Sequence, residues 1–481
     1  MDTPNNTLQN FKMKRKTSFD NSTKLELVGK LGSGVYGDVF ETKIYGEKQY
    51  ASKFLVQEKG YDFYMPANIR EILLGGTCCA LRKGVATFTS GNVHASRTYA
   101  TISDSGFCNL SQLAKTPIPL DAALYICKGI LEQLRDIHAK GIIHRDIKPD
   151  NIMIMTNTWP MELKIIDYGL STCQTKSSEK PVVSLWWRGP EVIYELPHDQ
   201  KTDIWSVGVI FSAFVCYRSL TWGSQCEEES LKNIWTKLGF PTKDTYPALY
   251  ASMGDLMFNI FAKEYSNPIG MQLLYPDASE ILSSCLVANP NFRLSASELL
   301  DLPEFKSINE EKVKKWFEHQ ITQVQSFKGD EEIVIYEEGT HFNFCYEFGS
   351  SNSDDLYEQK IPMSHIKQHH MEFLQMFEDK LSWDSIVFKE CAILLDKVLA
   401  LSEPCPIMEQ SQALVSGIAY IGCVVFTDYF PSLKKLMEIS GCSSIIIIKH
   451  AVHHCMCVLK CSLISKKIRV GIMENWEVIN K

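Results

Sequence analysis

The chain has 481 residues, 45% of them hydrophobic, and its 49 Lys and Arg face 57 Asp and Glu for a formal net charge of -8. That length exceeds one ordinary core and predicts two or three domains. The acidic balance excludes generic nucleic-acid binding, because no surplus of cations is available to neutralise phosphates. The most apolar stretch, 445–464, is interrupted by Lys449, Lys460 and three histidines, so no membrane span is expected. The opening MDTPNNTLQN is polar and is expected to carry no secretory signal. The 16 cysteines are scattered through apolar segments without paired Cys-x-x-Cys motifs, as expected for reduced thiols in a cytoplasmic or nuclear protein.

Residues 1–23 are polar and expected to be disordered, with a basic knot at Lys12, Lys14, Arg15 and Lys16 that reads as a solvated tail or a nuclear import signal. Folded sequence begins near Leu25. Leu31-Gly32-Ser33-Gly34-Val35-Tyr36-Gly37-Asp38-Val39 is a glycine-rich turn between two strand-like runs, and its glycines would let the main chain close over phosphates. Taken alone, that pattern fits an ordinary turn equally well. A strand carrying Lys53 follows, then a helical pattern from Pro66 to Leu74 with Glu71 inside it.

The stretch from His144 to Gly169 carries the most chemistry. His144-Arg145-Asp146-Ile147-Lys148-Pro149-Asp150-Asn151 is followed by an apolar strand pattern and then by Asp167-Tyr168-Gly169. The spacing suits phosphoryl transfer. Asp146 would orient an acceptor hydroxyl and take its proton, Lys148 would face the moving phosphate, and Asn151 and Asp167 offer hard oxygen ligands for magnesium. These residues closely resemble the catalytic loop and metal-binding motif of eukaryotic protein kinases, with Tyr168 where Phe is usual. The resemblance implies ATP and Mg2+ as cofactors and an α+β bilobal kinase fold, with a β-rich N-lobe and a helical C-lobe. It gives Lys53 the α- and β-phosphates, Glu71 the pairing with Lys53, and the run from Leu31 to Val39 the covering of the nucleotide.

Two further segments resemble the cyclin-dependent kinases in particular. Ile69-Arg70-Glu71 is similar to that family's helix signature, although the distance from Pro66 to Glu71 is one residue shorter. Pro181-Val182-Val183-Ser184-Leu185-Trp186-Trp187-Arg188-Gly189-Pro190-Glu191 is similar to the family's activation segment, with Gly189 for Ala. The resemblance implies that Val182, Val183 and Arg188 shape a pocket for proline after the target Ser or Thr, with Lys148 favouring Ser/Thr over Tyr. At the position of the family's activating phosphothreonine stands Glu179, which would pair with Arg145 and Arg70, or else be a plain solvated residue; Ser177 and Ser178 leave a displaced phosphosite open. The family's third arginine position holds Thr172. Of the family's inhibitory Thr-Tyr pair only Tyr36 is retained, beside Val35, and it reads equally well as an aromatic cover for the nucleotide. Asp203 would hold the catalytic-loop main chain, and Arg293 would pair with Glu191.

The kinase resemblance spans residues 24–305. Residues 306–360 are charged, with Gly329, Gly339 and Gly349, and read as a linker whose one strand-like stretch is Glu332–Tyr336. From 361 to 465 five helices are expected, and the third, Ala413–Phe426, is apolar all round, as a central helix wrapped by others would be. Ile393–Leu399, with Asp396, and Ala413–Ala419 resemble the second and third helices of the cyclin fold, although other helical bundles fit the pattern too. The cyclin family's kinase-binding lysine and glutamate fall at Phe426 and about Val452, both apolar, which puts kinase docking of the usual kind in doubt. His450, His453, His454, Cys457 and Cys461 recur at helical spacing among apolar residues and read as core rather than zinc ligands. Residues 466–481 read as a tail. The implied function is phosphate transfer from ATP to protein Ser/Thr, with a helical module acting in cis; the alternatives are a pseudokinase scaffold and a tail that docks some other protein. Such a fusion would suit a compact genome, as in a large DNA virus.

Overall fold

A computed structural model describes residues 7–8, 23–34, 37–44, 48–55, 66–75, 79–86, 88–89, 96–114, 118–173, 185–215, 224–275, 278–328, 341–344, 368–401, 411–427, 431–442 and 445–459. The chain divides into two compact units. Residues 106–331 form one, and residues 1–105 together with 332–481 form the other.

The amino-terminal part is built on β1 (Thr23–Gly34), β2 (Gly37–Ile44), β3 (Lys48–Leu55), α1 (Pro66–Leu74), β4 (Cys79–Ala86) and β5 (Ser96–Asp104). The strands pair antiparallel in the order β1-β2-β3-β5-β4. Period-two alternation places Phe40 and Thr42 of β2 in the interior, where the Thr42 hydroxyl meets that of Ser52 at 2.7 Å. Within the segment expected to be a tail, Thr7–Leu8 pairs antiparallel with Phe88–Thr89. A two-residue ladder leaves no periodic signal for a sequence reading to find. The basic knot at 12–16 lies outside the described residues.

The middle unit is helical apart from a small antiparallel sheet. In chain order it contains β6 (Cys108–Asn109), α2 (Leu110–Leu113), α3 (Leu120–Ala139), β7 (Ile152–Ile154), β8 (Leu163–Ile165), α4 (Pro190–Ile193), α5 (Lys201–Val215), α6 (Glu227–Leu238), α7 (Pro247–Glu264), α8 (Met271–Leu274), α9 (Ser279–Cys285), α10 (Ala296–Leu300) and α11 (Glu310–Lys328). Helix α5 is buried from Thr202 to Phe214 and packs against α3 and α9. Gly208 makes the last contact possible, since a Cβ there would stand 2.7 Å from that of Cys285.

Helix α11 lies inside the segment 306–360, expected to be a linker with only some local structure. Asn309 accepts the Lys312 amide at its first turn, Glu310 and Glu311 face the positive end of the helix, and Val313, Phe317, Ile321 and Val324 are buried where α11 packs on α3. These four positions follow helical spacing; the abundant charge between them hid the stripe. The expected strand at Glu332–Tyr336 lies outside the described residues. A strand does occur further on, at β9 (His341–Phe344), and it pairs antiparallel with β1, Phe344 opposite Thr23 and His341 opposite Glu26. It becomes the outer strand of the six-stranded sheet.

The five carboxyl-terminal helices are α12 (Gln368–Leu381), α13 (Ser385–Leu401), α14 (Ser411–Phe426), α15 (Leu433–Ser440) and α16 (Ile445–Leu459). Every residue of α14 from Ala413 to Phe426 is buried, and the helix touches each of the other four. Two glycines let its neighbours approach closely. A Cβ on Gly417 would press the main chain of α16 at 3.0 Å, and one on Gly422 would overlap Cys391 Sγ of α13. Among the described residues no helix is long and apolar enough to cross a membrane. The described cysteines are free, and burial pushes the Cys285 and Cys423 thiols up to about 12.

Candidate active site

The two units each carry part of the expected site. In the sheet unit, Leu31, Gly32, Ser33 and Gly34 end β1 and Gly37, Asp38 and Val39 begin β2, with Gly34 opposite Gly37 and Gly32 opposite Val39. Val35 and Tyr36, at the tip, lie outside the described residues. The ladder slips between Lys30 and Gly32, and a Cβ at Gly32 would meet nothing within 4 Å. The main chain there is open to a close-lying ligand. Lys53 sits on β3 opposite Val39 on one side and Thr101 of β5 on the other. Glu71 is a buried carboxylate on α1, between the buried Arg70 and the apolar Leu73 and Ile69.

In the helical unit the loop after α3 is held by its own polar residues. Asp203, at the start of α5, accepts the main-chain N–H of His144 (2.9 Å) and of Arg145 (2.8 Å) and the His138 ring nitrogen (2.8 Å). Burial opposes its charge, but the His138 hydrogen bond and the main-chain donors together hold its pKa below the ordinary value. Arg145 is thereby fixed at a φ of 67°, in the left-handed region, with Nε donating to Leu170 O at 2.6 Å. A two-bond bridge between Ile143 and Thr172 closes the loop against the segment that follows Asp167. Thr172 is fully buried.

Inside this frame Asp146 Oδ2 accepts from Lys148 Nζ at 3.0 Å and from Asn151 Nδ2 at 2.8 Å. Asn151 Nδ2 also donates to Asp146 O, so its amide is turned with Oδ1 away from these bonds. Burial raises the Asp146 pKa; Lys148 pulls it down, and the Asp167 carboxylate adds to the rise. Asp167 itself has a φ of 63°, a second strained residue in the same place. His144 is buried and its pKa is lowered, with Nε2 directed at Ile166 O (3.1 Å) and Nδ1 accepting the Asp146 amide (3.3 Å). A neutral imidazole satisfies both bonds. The buried Asp146 carboxylate, the half-buried Asp167 carboxylate and the Asn151 amide oxygen are of the hard, all-oxygen donor type that magnesium takes.

Below the loop, Glu191 and Arg293 form a fully buried bidentate pair, at 2.6 and 2.5 Å. Main-chain carbonyls of Val287, Ala288 and Lys201 take the remaining guanidinium hydrogens. Arg188 pairs with Glu227 of α6 at 3.1 Å, and Trp186 Nε1 donates to Ser224 O. Val182, Val183, Ser177, Ser178 and Glu179 lie outside the described residues.

A protein kinase domain model matches residues 25–305. The chain belongs to the protein kinase family. Within that family it is similar to cyclin-dependent kinase B1-1 of Arabidopsis thaliana, 28% identical over 60% of this chain and 98% of the relative. It is also similar to cyclin-dependent kinase B2-1 of Oryza sativa subsp. japonica, 32% identical over 41% of this chain and 60% of the relative. Mitogen-activated protein kinase 12 of Danio rerio is 32% identical over 41% of this chain and 55% of its own length.

In this kinase domain three contacts were beyond the sequence reading. His138 reaches Asp203 from seven residues before Arg145, Glu227 reaches Arg188, and Ser111 donates to Asp150 at 2.7 Å. A fourth lies in the sheet unit. Arg70, expected to face an anion at Glu179, donates its Nε to the main-chain oxygen of Val424 at 2.9 Å. The acceptor is a peptide carbonyl, which no residue type announces.

Proposed function

We propose that the chain is a protein kinase that transfers the γ-phosphate of ATP to Ser or Thr of proteins, preferring proline at the next position, and that its carboxyl-terminal helices, a cyclin-like module, support activity in cis. The observation that carries this reading is the Asp146 carboxylate held between Lys148 and Asn151 on a loop clamped by Asp203. In this reading Asp146 accepts the hydroxyl proton, Lys148 steadies the phosphate in flight, and Asn151 Oδ1 and Asp167 hold magnesium. Bound magnesium neutralises charge on the phosphates. Lys53, paired with Glu71, would hold the α- and β-phosphates under the Leu31–Val39 turn. Proline preference rests on Arg188, which Glu227 anchors. The free, buried cysteines support a reducing compartment, cytoplasmic or nuclear.

Transfer from ATP and magnesium to a Ser-Pro peptide, beside a Ser-Ala control, tests the reading. The full chain should phosphorylate the first at least about tenfold faster, and Asp146→Asn should remove roughly 10²–10⁴ of the rate, the usual share of acid–base catalysis. No transfer by the unaltered chain would make it a scaffold.

A further inference from the structure

The last turn of α14 ends in carbonyls that no amide of the helix can serve. The Cys423 carbonyl takes the Thr427 amide at 3.0 Å and the Thr427 hydroxyl at 2.8 Å. The next carbonyl, of Val424, takes Arg70 Nε from α1. Both residues are interior, Arg70 at 4% exposure and Val424 fully buried, and α1 packs against α14 and α16. A cation at the carboxyl end of a helix also meets the negative pole of its dipole, and that attraction is strengthened by exclusion of water. The side chains at the corresponding end are apolar: Phe426 and Val452 are both buried. The bond from Arg70 to α14 therefore goes to main chain.

We propose that the carboxyl end of α14 is the docking site for Arg70, and that Arg70 is the positioning residue through which the carboxyl-terminal helices set α1, and with it the adjacent Glu71, for phosphate transfer. This rests on the kinase reading above. It assigns to a helix terminus of the same chain the task that an activating anion or a separate subunit would otherwise perform on this arginine. Because the guanidinium Nε is aimed at a carbonyl, a planar donor matters and a bare positive charge is a poor replacement.

Arg70→Met keeps the apolar stem and removes the donor; Arg70→Lys keeps the charge and one donor. Both are measured in the full chain by steady-state kinetics on a Ser-Pro peptide and by amide hydrogen exchange. For Arg70→Met, kcat should fall roughly tenfold or more at a nearly unchanged peptide KM, and amides 421–427 should exchange roughly tenfold faster while α5 stays protected. Arg70→Lys should recover part of both effects together. Should Arg70→Met also loosen α5, the Lys variant decides, the two readouts moving together or not. A fall in kcat with unchanged exchange at 421–427 would place Arg70's action elsewhere and overturn the proposal, as would an unchanged kcat. An unaltered chain without any transfer activity instead removes the kinase reading; exchange at 421–427 then still decides whether α14 docks Arg70.

Discussion

Asp146 illustrates how a single carboxylate is tuned by opposing neighbours. Burial and Asp167 raise its pKa, and Lys148 lowers it. If Asp146 is the proton acceptor, as proposed, it works only when deprotonated, so activity should fall as pH drops through its raised pKa. Removing the lowering influence, in Lys148→Met, should move that acid limb to higher pH in a plot of kcat/KM against pH; a limb that stays put would mean Lys148 does not govern Asp146. Gly189 is a second case. It reads as a small-for-small exchange with Ala, yet a Cβ there would lie 2.4 Å from Glu191 Oε2, a carboxylate locked on Arg293. Gly189→Ala should cost roughly 1–3 kcal/mol in urea unfolding, the usual range for overpacking. A neutral result would show that the buried pair has slack.

At the scale of elements, apolar periodicity made most of the architecture legible. The all-apolar run 413–426 marks the central α14, and the four helices around it follow from their own stripes. The loop residues from His144 to Asn151 and Asp167 were legible because their spacing is short and local. What escaped were connections set by tertiary context: the His138–Asp203 bond, the Arg70–Val424 carbonyl bond, and the sheet edge filled by β9 from more than 300 residues away. Helix α11 escaped because charges outnumber its buried face. Its Phe317 is fully buried, so Phe317→Ala should destabilise the middle unit by about 3–5 kcal/mol, read from its unfolding midpoint. A linker residue would cost nothing.

At the scale of the molecule, the His144–Asn151 loop and the glycine-rich turn belong to units built from different parts of the chain. A fragment meant to isolate the kinase must extend past Lys328, since a cut at 306 removes α11. Even a 1–331 fragment lacks β9 and α14, so it leaves β1 as a bare sheet edge and removes a helix against which α1 packs. That fragment is expected to aggregate or to lose at least about tenfold in transfer rate relative to the full chain. Equal activity at equal concentration would reduce the carboxyl-terminal helices to a docking module.

The pairing of β1 with β9 has a bearing on how the protein is made. A ribosome delivers the first strand early and its outer partner only after the whole middle unit has emerged, tens of seconds later at the roughly 5–20 residues per second of translation. Until then the nascent amino-terminal sheet waits with one edge unpaired. If α14 sets α1 as proposed, a prematurely terminated product is an unarmed one. Catalytic competence then arrives only once α14 has been made, with no separate switch required to keep shorter products silent.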